Sequence, residues 1–406
     1  MVKLDNFEVD HWLLSNTNSV EHNLGHSYCL PRSIGDLQQE SGSGTDVDIL
    51  SPIISKPLDY GPMKGSEDLL SKISDYYSKE SSSQLSTESI VTTPGASLAN
   101  FLVLFALLGP GDHVIVQYPT YQQLYALPKC FGAEVSFWNS KEHDGWKLDL
   151  DELKELVQPN TKMIIISNPQ NPTGAIIPNQ TLKEIVEIAR THSIIVFSDE
   201  VYRPLFHSIS PTDPAYPPSI LSMGYENTIA TSSLSKVYSA AGLRIGWIAS
   251  HNSNVIDLCV NARSYALITA SQVDEHIASL ILSPPCAQVL MEKNRSLAER
   301  NVSLIQSFID KNSSSCEWVK PVGAPIGFIK FKRDGQPVDD LELCTRLLNK
   351  KKLLLVPGRK CFGDGIRFPG YIRLGFGGDT RQLEGDLQVL QAFLDSDYVD
   401  IPLSTE

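Results

Sequence analysis

The chain is short of cysteine and of positive charge, and it has no long apolar run. Its seven cysteines, an odd number, fall at Cys29, Cys130, Cys259, Cys286, Cys316, Cys344 and Cys361 without a Cys-x-x-Cys spacing. That scatter speaks against a disulfide framework and a metal site, and for reduced thiols in a cytoplasmic protein. Lys and Arg together number 34 against 47 Asp and Glu, a net charge of −13, which argues against nucleic acid and anionic membrane as partners. No stretch approaches the length of a membrane span, and the first twenty residues, with Asp5, Glu8, Asp10 and Asn16, lack a signal-peptide core. The ending Ile401-Pro-Leu-Ser-Thr-Glu406 matches no targeting tripeptide. No internal repeat is visible.

What is present is alternation. Between residues 61 and 283, apolar runs (His113 to Gln117, Glu134 to Trp138, Met163 to Ser167, Ile194 to Ser198, Thr228 to Ser232, Ile245 to Ser250) alternate with helical patterns such as Leu98 to Leu108, Leu150 to Val157 and Leu182 to Ala189. This predicts an α/β fold: a large domain with a mostly parallel sheet sandwiched by helices. A connecting helix is expected in 284–313, and shorter alternating pieces in 314–406 predict a smaller α+β domain. Serine-rich stretches at Glu40 to Thr45, Lys79 to Ser89 and Ser313 to Ser315 read as surface loops, and Pro211 to Pro218 as a surface excursion.

Three strand ends carry the chemistry. Lys236, in Thr231-Ser-Ser-Leu-Ser-Lys236, sits among small hydroxyl residues rather than other charges, a setting that favours a neutral, imine-forming amine. The strand Ile194 to Ser198 ends in Asp199, with Tyr202 three residues on, and Met163 to Ser167 runs into a turn carrying Asn171. Acids and amides at the C-terminal ends of parallel strands point into the ligand crevice of an open sheet. An amine, an acid and two hydrogen-bonding groups are what pyridoxal 5′-phosphate requires for its aldehyde, ring nitrogen and phenolic oxygen. A phosphate cradle is offered by Pro94-Gly-Ala-Ser97, a glycine turn opening into a helix, through Gly95, Ala96 and Ser97. Ser233 and Arg244 would complete it with a hydroxyl and a permanent charge. Taken singly, Asp199 reads better as a helix N-cap and Gly95 as a plain loop-to-helix cap; only their company raises them.

The motifs Tyr60-Gly-Pro-Met-Lys-Gly65, Pro94-Gly-Ala96, Tyr118-Pro-Thr-Tyr121, Asn168-Pro-Gln-Asn-Pro-Thr-Gly174, Ser198-Asp-Glu-Val-Tyr202, Ser233-Leu-Ser-Lys236 with Gly242-Leu-Arg244, and Tyr371-Ile-Arg-Leu-Gly-Phe376 stand in one order along the chain. Together they resemble the class I and II aminotransferase family of fold-type I pyridoxal-phosphate enzymes. The resemblance implies a seven-stranded type of sheet, with residues 1–60 joining the small domain and lining the substrate entrance. It implies that Lys236 binds the cofactor and shuttles the proton at the substrate α-carbon. Asp199 would pair with the ring nitrogen, Tyr202 and Asn171 with the phenolic oxygen, and Tyr121 with the ring face. Arg373, with Asn171 beside it, would hold the substrate carboxylate. Tyr60 would reach the phosphate of a neighbouring subunit, making the site shared across a homodimer.

The segment Glu21 to Gly35 departs from the usual family turn and carries His22, His26, Tyr28 and Arg32. These would either shape an unusual substrate pocket or form a polar surface loop. A Trp12 helix followed by a His-Asn turn, together with Leu354-Leu-Val-Pro-Gly-Arg359, is similar to the capreomycidine synthase branch of the family. The expected activity is transfer of the amino group of an α-amino acid to a 2-oxo acid. The alternative is elimination, replacement or cyclisation of an amino acid on the same cofactor. A regulatory ligand-binding module is disfavoured, since Lys236 is retained and no basic helix-turn-helix precedes Tyr60.

Overall fold

The computed structural model describes residues 4–41, 50–79 and 84–404, so the serine-rich runs that start at Glu40 and Lys79 lie partly outside the described residues. Seven strands build the large sheet: β1 (Ile90–Thr93), β2 (His113–Tyr118), β3 (Glu134–Asn139), β4 (Thr161–Ser167), β5 (Ile195–Asp199), β6 (Thr228–Ser233) and β7 (Gly246–Ser250). Their order is β1-β7-β6-β5-β4-β2-β3. Only β7 runs against its neighbours, and the other pairings are parallel. The reason is local: β6 and β7 are joined by a loop without a crossover helix, closed by Leu234 N–H donating to the Ile245 carbonyl at 3.0 Å.

Strands such as β4, with Met163, Ile164, Ile165 and Ile166 buried, are covered on both faces. The covering helices are amphipathic. Asn179–Thr191, for example, buries Leu182, Ile185, Val186 and Ala189, one stripe at helical spacing. Helix α1 (Glu8–Asn16) precedes the sheet, and α2 (Ala96–Leu107) leaves β1 through Gly95. The 28-residue α3 (Pro284–Lys311) has proline in its first turn, where no amide donor is missed. Its start (Cys286, Leu290) packs with the large sheet, and its end (Val302, Ile305, Phe308, Ile309) with a second core. No helix of the described residues is long and apolar enough to cross a membrane.

That second core lies on an antiparallel sheet of β8 (Ile326–Arg333) and β9 (Tyr371–Gly375), with Val356–Pro357 on the far side of β9. The N-terminal segment joins it through Val9, Trp12 and Leu24. His22–Asn23 corrects a sequence expectation: it is no turn but a two-residue strand parallel to Leu353–Leu354. The chain then runs along β9, where Gly375 N–H donates to the Leu24 carbonyl at 2.7 Å. A Cβ on Gly375 would stand 1.7 Å from the His26 carbonyl oxygen, so only glycine lets the two segments meet. The Pro211 to Pro218 excursion is solvent-facing only in its first half. Arg203 donates to the Pro217 carbonyl at 2.5 Å and Tyr216 packs edge-on to Phe206 at 4.8 Å, so its second half braces the turn after β5.

Candidate active site

The C-terminal ends of β4, β5 and β6 open on one cavity of about 220 Å³. Strand register sets Ser167 beside Asp199 and Asp199 beside Thr231. Lys236 lies in the β6–β7 loop, one turn beyond Ser233, whose Oγ accepts from Ser235 N–H at 3.2 Å. The Lys236 amine donates to Ser27 Oγ at 2.9 Å, and its carbonyl accepts from Cys29 N–H at 2.9 Å, so the N-terminal segment clamps the loop. Burial, and then the Arg373 guanidinium, lower the Lys236 pKa to about 8 against the pull of Asp10 and Asp199.

Asp199 ends β5 and caps no helix: its Oδ1 accepts from Val201 N–H at 3.1 Å in a tight turn. Its Oδ2 accepts from Asn100 Nδ2 at 2.9 Å, and Asn100 Oδ1 in turn accepts from Thr231 Oγ1 at 2.6 Å. Burial raises the Asp199 pKa above its ordinary value, with Asn100 the largest opposing contact. The adjacent Glu200 is held by Ser219 Oγ and Ile220 N–H, each at 2.8 Å, which fixes the turn. Tyr202 is buried on the cavity wall, and burial pushes its phenol up to about 12.

The loop from Asn168 to Gly174 is stiff. Gln170 Nε2 donates to the Pro119 carbonyl at 2.7 Å, Ile177 N–H to Asn168 Oδ1 at 3.0 Å, and Gly174 turns at φ +67°, where a Cβ would meet Pro321 at 2.5 Å. It presents Asn171 to Arg373, whose Nη1 donates to Asn171 Oδ1 at 3.3 Å and whose Nη2 donates to the Gly25 carbonyl at 2.8 Å. Arg373 is buried, its Nε has no hydrogen-bond partner, and no carboxylate pairs with it among the described residues. A buried guanidinium left in this state is strongly biased toward an incoming anion.

Gly95 (φ +83°) caps α2 directly beneath Arg244. A Cβ there would lie 2.4 Å from Arg244 Nη2, and one on Gly246 would lie 2.6 Å from the Gly95 carbonyl carbon. Two glycines thus leave an open cradle whose rim is the first turn of α2, with Ala96 and Ser97, and a guanidinium bonded to Ser235 Oγ at 3.1 Å.

The cavity gathers Ala96, Ser97, Tyr121, Asn171, Asp199, Tyr202, Ser233, Lys236, Arg244 and Arg373, with Gly95 behind the cradle. Tyr60 is not among them. It is 72 % exposed, in a segment tied to Gln272 by that side chain's donation to the Asp59 carbonyl at 2.6 Å. Of the N-terminal candidates, His26 and Tyr28 line the cavity, whereas His22 pairs with Asp386 at 2.7 Å and Arg32 with Glu40 at 3.5 Å, both away from it. Asp10, Ser27 and Asn100 are lining residues that sequence reasoning missed. Asn100 had a signal, an amide inside the otherwise apolar run Leu98 to Leu104. A larger cleft of about 920 Å³, along the start of α1 and Tyr125, collects no comparable set.

The sequence profile of the family described as aminotransferase class I and II matches residues 53–390. The solved structure of a PLP-dependent aminotransferase from Streptococcus suis superposes on this chain with a TM-score of 0.87 and 36 % identity, covering all of both chains. The aspartate aminotransferase of Thermotoga maritima is 29 % identical over 339 residues, 81 % of each chain. The capreomycidine synthase of Streptomyces vinaceus is 28 % identical over 301 residues, 74 % of this chain and 73 % of the relative.

Proposed function

The chain belongs to the class I and II aminotransferases and is a pyridoxal 5′-phosphate-dependent enzyme acting on amino acids, and we propose that it moves the amino group of an α-amino acid to a 2-oxo acid at the Lys236 cavity. One observation carries the reading: an amine lowered to about 8, a two-donor carboxylate and a buried guanidinium with no carboxylate partner among the described residues face a single cavity. The residues fit the cofactor. The cradle that a Cβ on Gly95 would fill suits a phosphate between α2 and Arg244, with Ser233 and Ser235 at its edge. Asp199 would face the ring nitrogen, Tyr202 and Asn171 the phenolic oxygen, and Tyr121 the ring.

Bound pyridoxal phosphate supplies an aldehyde for the amine and a cationic ring that takes up the electrons left when the substrate Cα–H bond breaks. The protein supplies the rest. With the cofactor bound, Lys236 would be the residue that holds its aldehyde, and the same amine, when free, would move the proton at the substrate Cα. Asp199, fixed by Asn100 and Val201, holds the proton on the ring nitrogen. Arg373 grips the substrate carboxylate and so orients the Cα–H bond. The wall of Ser27, Tyr28 and α1 narrows solvent access.

Arg373→Ala is expected to raise KM for the amino acid by about 30- to 100-fold, the loss of a charge-assisted pair, with cofactor affinity little changed. Steady-state kinetics with equilibrium dialysis of the cofactor checks this, and a KM within about threefold of wild type would refute the assignment. Relatedness to a capreomycidine synthase supports a second reading, elimination or ring closure after the same proton removal.

The assembly we propose is a homodimer. Leu58, Tyr60, Met63, Tyr265 and Ile268 are large and exposed around one tied pair of segments, as a surface awaiting a second copy would be. Tyr60 would then reach the partner's cradle. Light scattering on the purified holoenzyme is expected to give twice the 44.8 kDa chain mass, and a fully active monomer would exclude the shared site. The unpaired cysteines agree with a cytoplasmic setting.

A further inference from the structure

Helix α1 lies across the cavity mouth and turns Val9, Asp10 and Leu13 into it. The helix is pinned at several points. Trp12 Nε1 donates to the Leu355 carbonyl at 2.8 Å, Glu8 N–H donates to Gln122 Oε1 at 2.8 Å, and Gln122 Nε2 donates to the Asn6 carbonyl at 2.7 Å. Lys360 adds an ion pair to Glu8 at 3.6 Å and lies 5.6 Å from the Trp12 ring centre. Asp10 is therefore placed by the fold, not the end of a loose tail; burial raises its pKa, with Lys236 and then Arg373 opposing the rise. Among the described residues its carboxylate makes no hydrogen bond and no ion pair.

The charged residues lining the cavity are Asp10, Asp199, Lys236, Arg244 and Arg373. In the function proposed above, on which this step rests, each of the others is matched. Arg244 meets phosphate, Asp199 the ring nitrogen, Lys236 the cofactor aldehyde and Arg373 the substrate carboxylate. Asp10 is left without a partner of its own in that scheme, its carboxylate felt by Lys236 and Arg373 across the cavity, at the end where the substrate side chain would lie once its carboxylate and amine are held within. His26, which also lines the cavity, does not cancel it: burial, with Arg373 and Lys236 nearby, lowers the imidazole pKa. The Tyr28 ring, packed on His26 at 4.7 Å and 5.8 Å from the Lys236 amine, adds an aromatic face suited to a cation.

We infer that Asp10 is a specificity-determining residue that selects an α-amino acid with a positively charged side chain and disfavours acidic ones. The test compares kcat/KM for L-arginine and L-citrulline, side chains alike in shape and different in charge, on the holoenzyme and on Asp10→Asn and Asp10→Glu. The wild type is expected to favour arginine by about tenfold, the Asn variant by about twofold or less, and the Glu variant to keep most of the preference. The loss should fall mainly on KM for arginine. Asp10 is exposed at the cavity and makes no hydrogen bond or ion pair among the described residues, so the Asn variant should fold. A wild type that uses arginine no better than citrulline, or an Asn variant that keeps the full preference, overturns the role of Asp10 while other amino acids still react. Absence of amino-group transfer from every amino acid tried overturns the aminotransferase reading with it.

Discussion

Lys236→Ala, purified with pyridoxal phosphate, is expected to lose at least about 10⁴-fold in turnover. Two functions rest on that one amine, the bond to the cofactor aldehyde and the proton moved at Cα, and among the described residues no other lysine lines the cavity. The two are separable from mere folding by a covalent readout. Borohydride reduction of the wild type should leave a pyridoxyl group on the peptide carrying Lys236, and the variant should show none. A variant that still carries reducible, attached cofactor would contradict the assignment. The wild type should also carry a pH signature. The neutral amine is the nucleophile, and its pKa is lowered to about 8. Capture of pyridoxal phosphate by the apoenzyme should therefore accelerate as pH rises to about 8 and level off above. An ordinary lysine, near 10.4, would keep accelerating for about two further pH units.

Asp199→Asn is expected to keep its cofactor and lose about 10³-fold in kcat, the scale of losing a preorganised charge in a dry site. In the free protein, burial raises the Asp199 pKa, with Asn100, the Val201 amide and Lys236 opposing the rise. A protonated ring nitrogen would reverse that balance by pairing with the carboxylate, which an amide cannot do. Retention is expected because the phosphate cradle of Gly95, Ala96, Ser97 and Arg244 is built from other elements. Dialysis against limiting cofactor, set beside steady-state rates, separates the effects, and a variant with near-wild-type kcat would remove Asp199 from the mechanism.

The strand-end residues were legible because their signals are local. A β-branched run that stops at a polar residue, as Ile194 to Asp199 does, places that residue at the open end of a parallel sheet whatever the rest of the chain does. The predicted mostly parallel sheet is the one found, yet the reversed direction of β7 was not readable, because Gly246–Ser250 has the same apolar pattern either way and only the β6–β7 loop, which holds a single 3-10 turn and no crossover helix, decides it. What the sequence hid are contacts made across long separations. Asn100 reaches Asp199 over 99 positions, Ser27 reaches Lys236 over 209, and Trp12 is held by a carbonyl 343 positions away. His22–Asn23 looked like a turn because a two-residue strand has no period of its own, and its partner is Leu353–Leu354. Asp10 carried no signal at all among the other acids of the first residues. Its place over the cavity is set by the pinning of α1.

The most direct measurement is a single-turnover experiment: loaded enzyme mixed with excess amino acid and no 2-oxo acid acceptor, the products quantified by mass spectrometry. Transfer at Lys236 predicts one equivalent of the corresponding 2-oxo acid per active site, then arrest, with the amino group kept on the cofactor until a 2-oxo acid restores the starting spectrum. Continued formation of ammonia, or of a cyclised or dehydrated amino acid, without arrest would contradict transamination and make elimination or ring closure the activity of this site.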